Sequence, residues 1–291
     1  MSRDCTVAAV LTAVVVTYSA TPGELARCLY ALRAGGGVDH VLVYDTGGSA
    51  VLPQFQGGPP VELVRIENRG YGAAANAGFA HAEQLGADRI ALLNDDVIVR
   101  PGWIPPLLAE LEHDTTVGAA QPQIVAVDGT VLSLGVTRDG YGAGVDLGDG
   151  EGAPDDLAAR SIEIFTGGAV LFRLGFLADT GGFDERWFLY YEDVDLALRG
   201  GARGWTFRLA PDSVVEHARG LSTSADPGRT RYLQERNRLW AAFRHGSGGM
   251  ARRAVWLSVR RLRHKPRWVH ARALVAGLAG APRRLWERRR A

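Results

Sequence analysis

The sequence predicts an α/β fold with a mostly parallel sheet, and three observations lead to this prediction. Apolar runs of strand length alternate with segments in which apolar residues recur at helical spacing. Strands joined through helices take right-handed crossovers and become parallel neighbours. The chain has 291 residues, of which 46% are hydrophobic and 22% are charged, so disordered and fibrous classes are excluded.

The first strand is expected within residues 7–16. We interpret this run as a strand and not as the apolar part of a signal peptide, because Asp4 lies where a signal peptide carries positive charge. A helix should follow, since Thr21 is a capping residue, Pro22 takes the first helical position and Glu24 the third. Apolar residues then recur at helical spacing at Leu25, Cys28, Leu29 and Leu32.

Three further strands are predicted at residues 40–44, 61–66 and 90–94, with a helix at residues 73–85. Each predicted strand ends at a polar side chain. These side chains belong to Thr17, Asp45, Asn68, Asp95 and Asp96. In open α/β sheets the ligand crevice lies at the carboxyl ends of the strands. The sequence therefore predicts a crevice of nucleotide size that these side chains share.

The pair Asp95 and Asp96 follows a buried strand and suggests a metal site. Paired carboxylates suit a hard divalent cation such as Mg²⁺ or Mn²⁺, and such a cation in turn suits a diphosphate. The alternative is a strand followed by an ordinary Asn-Asp turn.

A second acidic group consists of Glu192, Asp193 and Asp195, directly behind an aromatic segment. Crowded carboxylates in apolar surroundings have raised pKa values, because burial and like charge both disfavour ionisation. This pattern is typical of a general base. The alternative is the solvated first turn of a helix, where acidic residues favour the positive end of the helix dipole.

Several classes of site are disfavoured. Gly70 and Gly72 precede a predicted helix, but neither the Gly-x-Gly-x-x-Gly nor the Walker pattern is present. Lys265 is the chain's single lysine, which argues against lysine-dependent nucleotidyl transfer. The two cysteines, Cys5 and Cys28, have no metal-ligand spacing, so we expect neither structural zinc nor a disulfide framework, and a reducing compartment fits best.

Jointly, the motifs resemble those of family 2 glycosyltransferases of the GT-A fold, in the branch that contains bacterial rhamnosyltransferases. The resemblance extends over roughly residues 10–246. It rests on Val14-Val15-Val16-Thr17-Tyr18, Asp45, Asn68-x-Gly70-Tyr71-Gly72-x-x-x-Asn76, Leu93-Asn94-Asp95-Asp96, Thr166-Gly167-Gly168, Gly181-Gly182-Phe183-Asp184-Glu185, Tyr191-Glu192-Asp193-Val194-Asp195-Leu196 and His217.

This resemblance implies a role for each matching residue. Asp193 would be the catalytic base, and Asp96 with His217 would hold a divalent cation, Mg²⁺ or Mn²⁺. The donor nucleotide sugar would contact Thr17, Tyr18, Asp45, Asn68, Gly70, Asn76 and Asp95. Acceptor or supporting positions would be Gly167, Gly168, Glu192 and Asp195. The family's usual Asn after Tyr18 is Ser19 here, and Thr46-Gly47-Gly48-Ser49 replaces its Asn-x-Ser, which puts the donor preference in doubt.

The resemblance further implies an inverting transfer of a sugar to a hydroxyl group. The best prediction is rhamnose from dTDP-rhamnose, moved to a cell-envelope glycan or a lipid-linked acceptor. One alternative is a UDP-sugar and a soluble small-molecule acceptor, and another is a non-catalytic nucleotide- or carbohydrate-binding protein. A sugar nucleotidyltransferase is a third possibility, which the missing lysine and glycine signature disfavours.

The predicted domains are a GT-A domain at residues 1–245, with a donor half at about 1–125 and an acceptor half at about 126–245, and a basic helical tail at residues 246–291. From residue 229 onward the chain has seventeen arginines and one lysine against two glutamates, although the whole chain carries a net charge of +1. Tryptophans between these arginines are typical of an interfacial helix on an anionic membrane. We therefore expect a cytoplasmic protein, peripheral on the inner face of the plasma membrane.

Two alternatives for the tail stay open. Its helices could pack on the catalytic domain, with arginines paired to acidic residues, or on a second subunit in a homo-oligomer. Nucleic acid is not expected as a partner, although charge alone does not decide this.

Overall fold

The computed structural model describes residues 10–18, 21–152, 154, 156–217 and 226–289. The start of the predicted first strand, Asp4, Cys5 and Ser19 lie outside these residues. The described chain forms a mixed sheet with helices on both faces, followed by three helices near the carboxyl end. The predicted α/β fold with a helical extension is confirmed.

The amino-terminal part follows the predicted alternation. Four strands, β1 (Val10–Thr17), β2 (His40–Asp45), β3 (Val61–Arg65) and β4 (Ala87–Asn94), lie parallel in the order β4-β1-β2-β3. They are joined through helices α1 (Pro22–Gly35) and α2 (Tyr71–Gln84). The predicted capping box is present at α1, because the Thr21 hydroxyl accepts from Glu24 N at 3.3 Å and Thr21 N donates to Glu24 Oε2 at 2.7 Å.

The next part of the chain extends the sheet and adds short strands. In chain order its elements are β5 (Val97–Val99), α3 (Ile104–Leu111), β6 (Val117–Val125), β7 (Val131–Ser133), β8 (Val136–Arg138), β9 (Gly144–Asp146), β10 (Arg160–Ile162), β11 (Ala169–Arg173), α4 (Leu174–Thr180), α5 (Glu192–Ala202) and β12 (Thr206–His217). A short 3₁₀ turn at Glu185–Trp187 precedes α5.

Within the described residues, the main order of the sheet is β10-β12-β6-β11-β4-β1-β2-β3. Strand β11 is antiparallel to both β4 and β6, whereas β12 is parallel to β6. Strand β5 pairs antiparallel with the end of β12. This pairing brings the end of β12 next to the turn that follows β4.

Both faces of the sheet are buried, which explains why its strands are continuously apolar in sequence. Along β1, Val14 and Val16 pack into one core cluster, while Ala13 and Val15 pack into another on the opposite face. Helix α1 covers the second face through Leu25, Cys28, Leu29 and Leu32.

The carboxyl-terminal helices are α6 (Pro227–His245), α7 (Gly248–Arg261) and α8 (Arg267–Arg288). Helix α6 packs against α7 and α8 around Leu239, Phe243 and Ala254. Buried Arg284 of α8 contacts Asp184, with 2.9 Å between Nη1 and Oδ2, so the extension also packs on the α/β part. The predicted boundary at residue 245 falls between α6 and α7, and it stays a prediction. Among the described helices, none is long and apolar enough to cross a membrane.

Candidate active site

An open cleft of about 1440 Å³ runs along the carboxyl ends of β1 and β4. One wall is the sheet edge and the start of α5, and the opposite wall comes from α6, α7 and the segment that joins α7 to α8. The predicted site residues that line the cleft are Tyr18, Asn68, Gly70, Asp95, Asp96, Gly167, Gly168, Glu192, Asp193 and His217. Thr17, Asp45, Asn76 and Asp195 are not part of its lining.

Asp193 lies in the first turn of α5 with its carboxylate held by two backbone amides. Gly167 N donates to Oδ2 at 2.9 Å and Val194 N donates to Oδ1 at 2.8 Å. Burial raises the pKa of Asp193, while these two hydrogen bonds to the anion oppose the rise. The result is an oriented carboxylate, in a cleft, with a higher proton affinity than an exposed aspartate.

Glu192 is the buried neighbour of Asp193, and its side chain is only 6% exposed. Burial raises the pKa of Glu192, and the charge of Asp193 raises it further. Glu192 Oε2 has no hydrogen-bond partner among the described residues, whereas both oxygens of Asp193 accept backbone hydrogen bonds. Of the pair, Asp193 is therefore the better-stabilised anion, and Glu192 is the one that keeps its proton to higher pH.

Asp96 and His217 lie together at the sheet edge of the cleft, where β4 and β12 end. Asp96 is in the turn between β4 and β5, and His217 at the end of β12 pairs with Val97 of β5. Asp96 Oδ1 is 2.9 Å from His217 Nε2, yet both atoms are buried and neither makes a hydrogen bond of acceptable geometry within the described chain. Two unsatisfied ligand-type atoms at this distance fit a cation between or beside them.

No group of three or more His, Cys, Asp or Glu side chains in the described part is arranged to hold a metal ion. A pair of protein ligands is nevertheless what Mg²⁺ or Mn²⁺ commonly takes where substrate phosphates and waters complete the coordination. The residues at Asp96 and His217 thus fit a divalent cation whose shell is completed by a bound diphosphate. Asp95, beside them, is buried, and burial raises its pKa to about 6 although a hydrogen bond from Thr17 opposes the rise.

Three predicted site residues have their side chains engaged with the protein. Asp45 Oδ1 accepts from Gly47 N at 2.9 Å and Gly48 N at 2.8 Å, and its Oδ2 accepts from Ala50 N at 2.9 Å. These bonds fold the loop after β2, which brings Thr46 to the cleft. A direct contact of Asp45 with the nucleobase stays a prediction.

Asn76 and Asp195 bind parts of the chain around Asp193. The Asn76 amide donates to Phe183 O and accepts from Phe183 N, each at 2.9 Å. Asp195 is buried between Arg199 Nε at 2.9 Å and His245 Nε2 at 2.8 Å. Burial opposes ionisation of Asp195, but the contacts with His245 and Arg199 prevail and lower its pKa. Their contacts with substrate stay predictions.

The segment before Asp193 has an unusual backbone that the sequence did not signal. Phe188, Tyr190 and Tyr191 have φ angles of 69°, 67° and 70°, a region that non-glycine residues rarely occupy. Asn237 of α6, which is completely buried, donates to the carbonyl oxygens of this segment. Neither its position in a basic helix nor its neighbours in sequence pointed to this role.

The close approach of the left-handed segment to the start of α2 requires a glycine at position 70. Its φ is +102°, and a Cβ built there would lie 2.3 Å from the carbonyl oxygen of Phe188. Tyr71 N donates to that oxygen at 2.7 Å, and the Tyr71 hydroxyl donates to Gly167 O at 2.7 Å. The glycine thus allows α2 to approach the segment that leads to Asp193.

Comparison with known proteins bears on this arrangement. The model of the family described as "Glycosyl transferase family 2" matches residues 12–173. The chain belongs to glycosyltransferase family 2. This family 2 glycosyltransferase is also 32% identical over 247 residues to the N-acetylglucosaminyl-diphospho-decaprenol L-rhamnosyltransferase of Mycobacterium tuberculosis (strain H37Rv), covering 75% of this chain and 79% of the relative.

A second relative of this glycosyltransferase is the pre-mycofactocin glycosyltransferase of the same organism, with 34% identity over 152 residues, covering 52% of this chain and 30% of the relative.

Two solved structures share the fold of this family 2 glycosyltransferase. GalNAc-T7 with UDP, GalNAc and Mn²⁺ has a TM-score of 0.64 at 12% identity, covering 91% of this chain and 54% of that chain. The mannosyltransferase PcManGT from Pyrobaculum calidifontis in complex with GDP-Man and Mn²⁺ has a TM-score of 0.54 at 15% identity, covering 94% of this chain and 86% of that one. At these identities the likeness establishes the GT-A glycosyltransferase fold.

Proposed function

We propose that this protein is an inverting, metal-dependent glycosyltransferase that moves rhamnose from dTDP-rhamnose to a hydroxyl of an acceptor linked through diphosphate to a lipid. One observation carries the proposal. A single cleft contains both the oriented carboxylate of Asp193 and the pair Asp96 and His217, whose facing atoms make no hydrogen bond within the described chain. Direct glycosyl transfer from a nucleotide sugar needs a base at the acceptor and charge stabilisation at the diphosphate.

The chemistry is a single displacement at the anomeric carbon. The acceptor oxygen forms a bond to that carbon while the bond from carbon to phosphate oxygen breaks on the opposite face. The acceptor's hydroxyl proton goes to Asp193, and the electron pair of the broken bond leaves with the nucleoside diphosphate. A divalent cation bound at Asp96 and His217 would supply stabilisation for the charge on that diphosphate.

The donor and the acceptor would occupy different parts of the cleft. The donor diphosphate would lie toward Asp96 and His217 at the strand ends, with Tyr18, Asn68 and Asp95 nearby. Glu192, largely protonated beside Asp193, would donate a hydrogen bond to a sugar or acceptor oxygen, because its Oε2 has no protein partner in the described chain.

The choice of rhamnose and a diphosphate-linked lipid rests on the mycobacterial relative, whose name states both. A UDP-sugar with a soluble acceptor is the alternative donor and acceptor class. The surface of α7 and α8 favours the lipid. Trp256, Trp268 and Val275 are 50%, 60% and 67% exposed on these basic helices. We propose that this surface lies on an anionic membrane, where tryptophan and arginine together are favoured.

A transfer assay tests the proposal. Purified protein is incubated with Mn²⁺, a labelled donor (dTDP-rhamnose, or UDP-glucose for comparison) and N-acetylglucosamine linked through diphosphate to a short prenyl chain. We expect rhamnosylated product from the first donor and none from Asp193→Asn, while the exposed control variant Asp212→Asn retains activity. Nucleotide binding without transfer from any donor would favour a non-catalytic binding protein. Transfer from UDP-glucose alone would overturn the donor assignment.

A further inference from the structure

The wall of the cleft that faces the sheet edge is basic. We define the basic wall as Arg229 and Arg231 of α6, Arg260 of α7, and His264 and Lys265 of the segment between α7 and α8. All five side chains are exposed and line the cleft. The opposite side of the same cleft carries Asp95, Asp96, Glu192 and Asp193.

Four residues of this wall make no ion pair with another described residue. Within the described chain, none of Arg231, Arg260, His264 and Lys265 has a carboxylate within ion-pair distance. By contrast, Glu235, an acidic residue of the same side, is engaged by Arg238 and Arg261. A concentration of unpaired positive charge at the edge of a cleft attracts an anionic ligand.

The cleft is also lined by a buried histidine. His270 at the start of α8 lines the cleft, yet its side chain is only 5% exposed. Neither Nδ1 nor Nε2 has a hydrogen-bond partner among the described residues, and the nearest carboxylate oxygen, Glu235 Oε1, is 3.9 Å from Nδ1. Buried polar groups are normally satisfied, so an unsatisfied ring beside unpaired cations points to a missing ligand.

Two exposed apolar side chains, those of Trp256 and Val259, lie next to Arg260 on α7. Arg260 stacks over the Trp256 ring at 4.6 Å, and Val259 beside it is 49% exposed. A ligand whose phosphates met Arg260 could therefore extend a hydrocarbon chain over Trp256 and Val259 without leaving the protein surface. This juxtaposition of phosphate-binding cations and apolar side chains matches a lipid diphosphate.

We propose that the basic wall and His270 bind the diphosphate of the acceptor, so that its sugar faces Asp193 and its lipid chain leaves over Trp256. This inference rests on the proposed function and adds the acceptor site to it. The donor's diphosphate belongs to the opposite wall, at Asp96 and His217. Arginine and lysine both bind phosphate well, arginine through paired donors and lysine as a point charge.

The test compares two double variants that remove the same charge. Arg260→Gln with Lys265→Gln alters the wall, and Arg263→Gln with Arg267→Gln alters exposed basic residues of the same region that do not line the cleft. Calorimetry measures binding of three probes: N-acetylglucosamine linked through diphosphate to a short prenyl chain, the methyl glycoside of N-acetylglucosamine, and dTDP with Mn²⁺. Flotation with phosphatidylcholine vesicles, with and without phosphatidylglycerol, measures membrane binding.

We expect the wall variant to bind the diphosphate probe at least about tenfold more weakly than the control variant, because bonds to charged groups are lost. Binding of dTDP and of anionic vesicles should match the control. Equal loss of dTDP binding would assign the wall to the donor, and loss confined to vesicles would assign it to lipid headgroups, so either result overturns the proposal. Unchanged binding of the diphosphate probe would also overturn it.

These readouts separate the inference from the proposed function. If the protein transfers no sugar but the wall variant still loses the diphosphate probe, the function fails and the site stands. If transfer is normal and the wall variant keeps its KM for the diphosphate acceptor, the site fails and the function stands. His270→Gln, which leaves the exposed charges in place, should also weaken the diphosphate probe while leaving dTDP binding unchanged.

Discussion

The side-chain amide of Asn237 donates to the carbonyl oxygen of Tyr190 at 2.7 Å, and the same amide contacts Leu189 O at 2.8 Å. Helix α6 thereby holds the left-handed segment that leads into Asp193. The strained backbone positions are stable because buried donors from another part of the chain satisfy their carbonyl groups.

Replacing this amide should affect both folding and catalysis. For Asn237→Ala we expect the free energy of unfolding to fall by about 1–3 kcal/mol, because buried carbonyl groups lose their donor. We also expect kcat to fall by about 10- to 100-fold, since Asp193 is displaced from the acceptor. Urea unfolding and steady-state kinetics measure the two effects, with the exposed carboxamide variant Gln54→Ala as control. A stability loss with unchanged kcat would contradict the positioning role.

A substitution at Gly70 tests the left-handed segment through its contact with Phe188. Gly70→Ala would place a Cβ 2.3 Å from Phe188 O, whereas Gly86→Ala has a similar left-handed backbone, with φ of +82°, and nothing within 4 Å of its Cβ. Both variants should lose about 1–3 kcal/mol of stability from backbone strain. Only Gly70→Ala should also lose kcat, measured at saturating donor. Equal kinetics of the two variants would show that the close approach to Phe188 has no part in catalysis.

The raised pKa of Glu192 predicts a pH dependence of stability. A carboxyl group whose pKa is higher in the folded protein than in the unfolded chain binds its proton more tightly when folded. The free energy of unfolding therefore falls as pH rises from the ordinary carboxyl pKa, about 4.3, through the raised value.

Glu192→Gln removes this titration, so the variant's stability should fall less over the same pH range. Urea unfolding at several pH values between about 4.5 and 8 measures the difference, with the exposed Glu151→Gln as control. Parallel curves for the unaltered protein and Glu192→Gln would mean that Glu192 is not held in a protonated state by burial.

The membrane proposal predicts a specific loss of vesicle binding. Trp268→Ser removes an exposed aromatic ring from basic helix α8, and binding to phosphatidylglycerol vesicles should weaken about tenfold, because Trp side chains favour the interface. Val127 lies in a turn outside the carboxyl-terminal helices, and it is 77% exposed. Val127→Ser therefore removes an exposed apolar side chain from another surface and should have no effect on vesicle binding. Flotation at two salt concentrations would also reveal the contribution of the arginines. Equal vesicle binding by the two variants would refute a membrane role for α8.

Local sequence patterns were sufficient to predict much of the fold. The capping box at Thr21 and Glu24 and the polar ends of β1 and β4 depend on neighbours in sequence, and the structure has them as predicted. The bonds of Asp45 to Gly47 and Gly48 are equally local, but the family resemblance predicted a contact of Asp45 with the donor nucleotide instead.

Other parts of the site depend on contacts that no local pattern indicates. Asn237 binds backbone groups 47 and 48 residues earlier in the chain, and a carboxamide inside a basic helix carries no signal of such partners. The charge pattern of α7 predicted a basic helix, but it did not predict that Arg260 lines the cleft. That position follows from the packing of α7 against α6 and α8, which is a property of the tertiary structure.

The most direct test of the account is a calorimetric titration with dTDP, with and without Mn²⁺, on the unaltered protein, on Asp96→Ala and on the exposed control variant Asp212→Ala. We predict binding that requires Mn²⁺, is abolished by EDTA, is lost in Asp96→Ala and is kept in Asp212→Ala. Binding of dTDP that is equally tight without Mn²⁺ and in Asp96→Ala would contradict the assignment of Asp96 and His217 to a metal and the donor diphosphate.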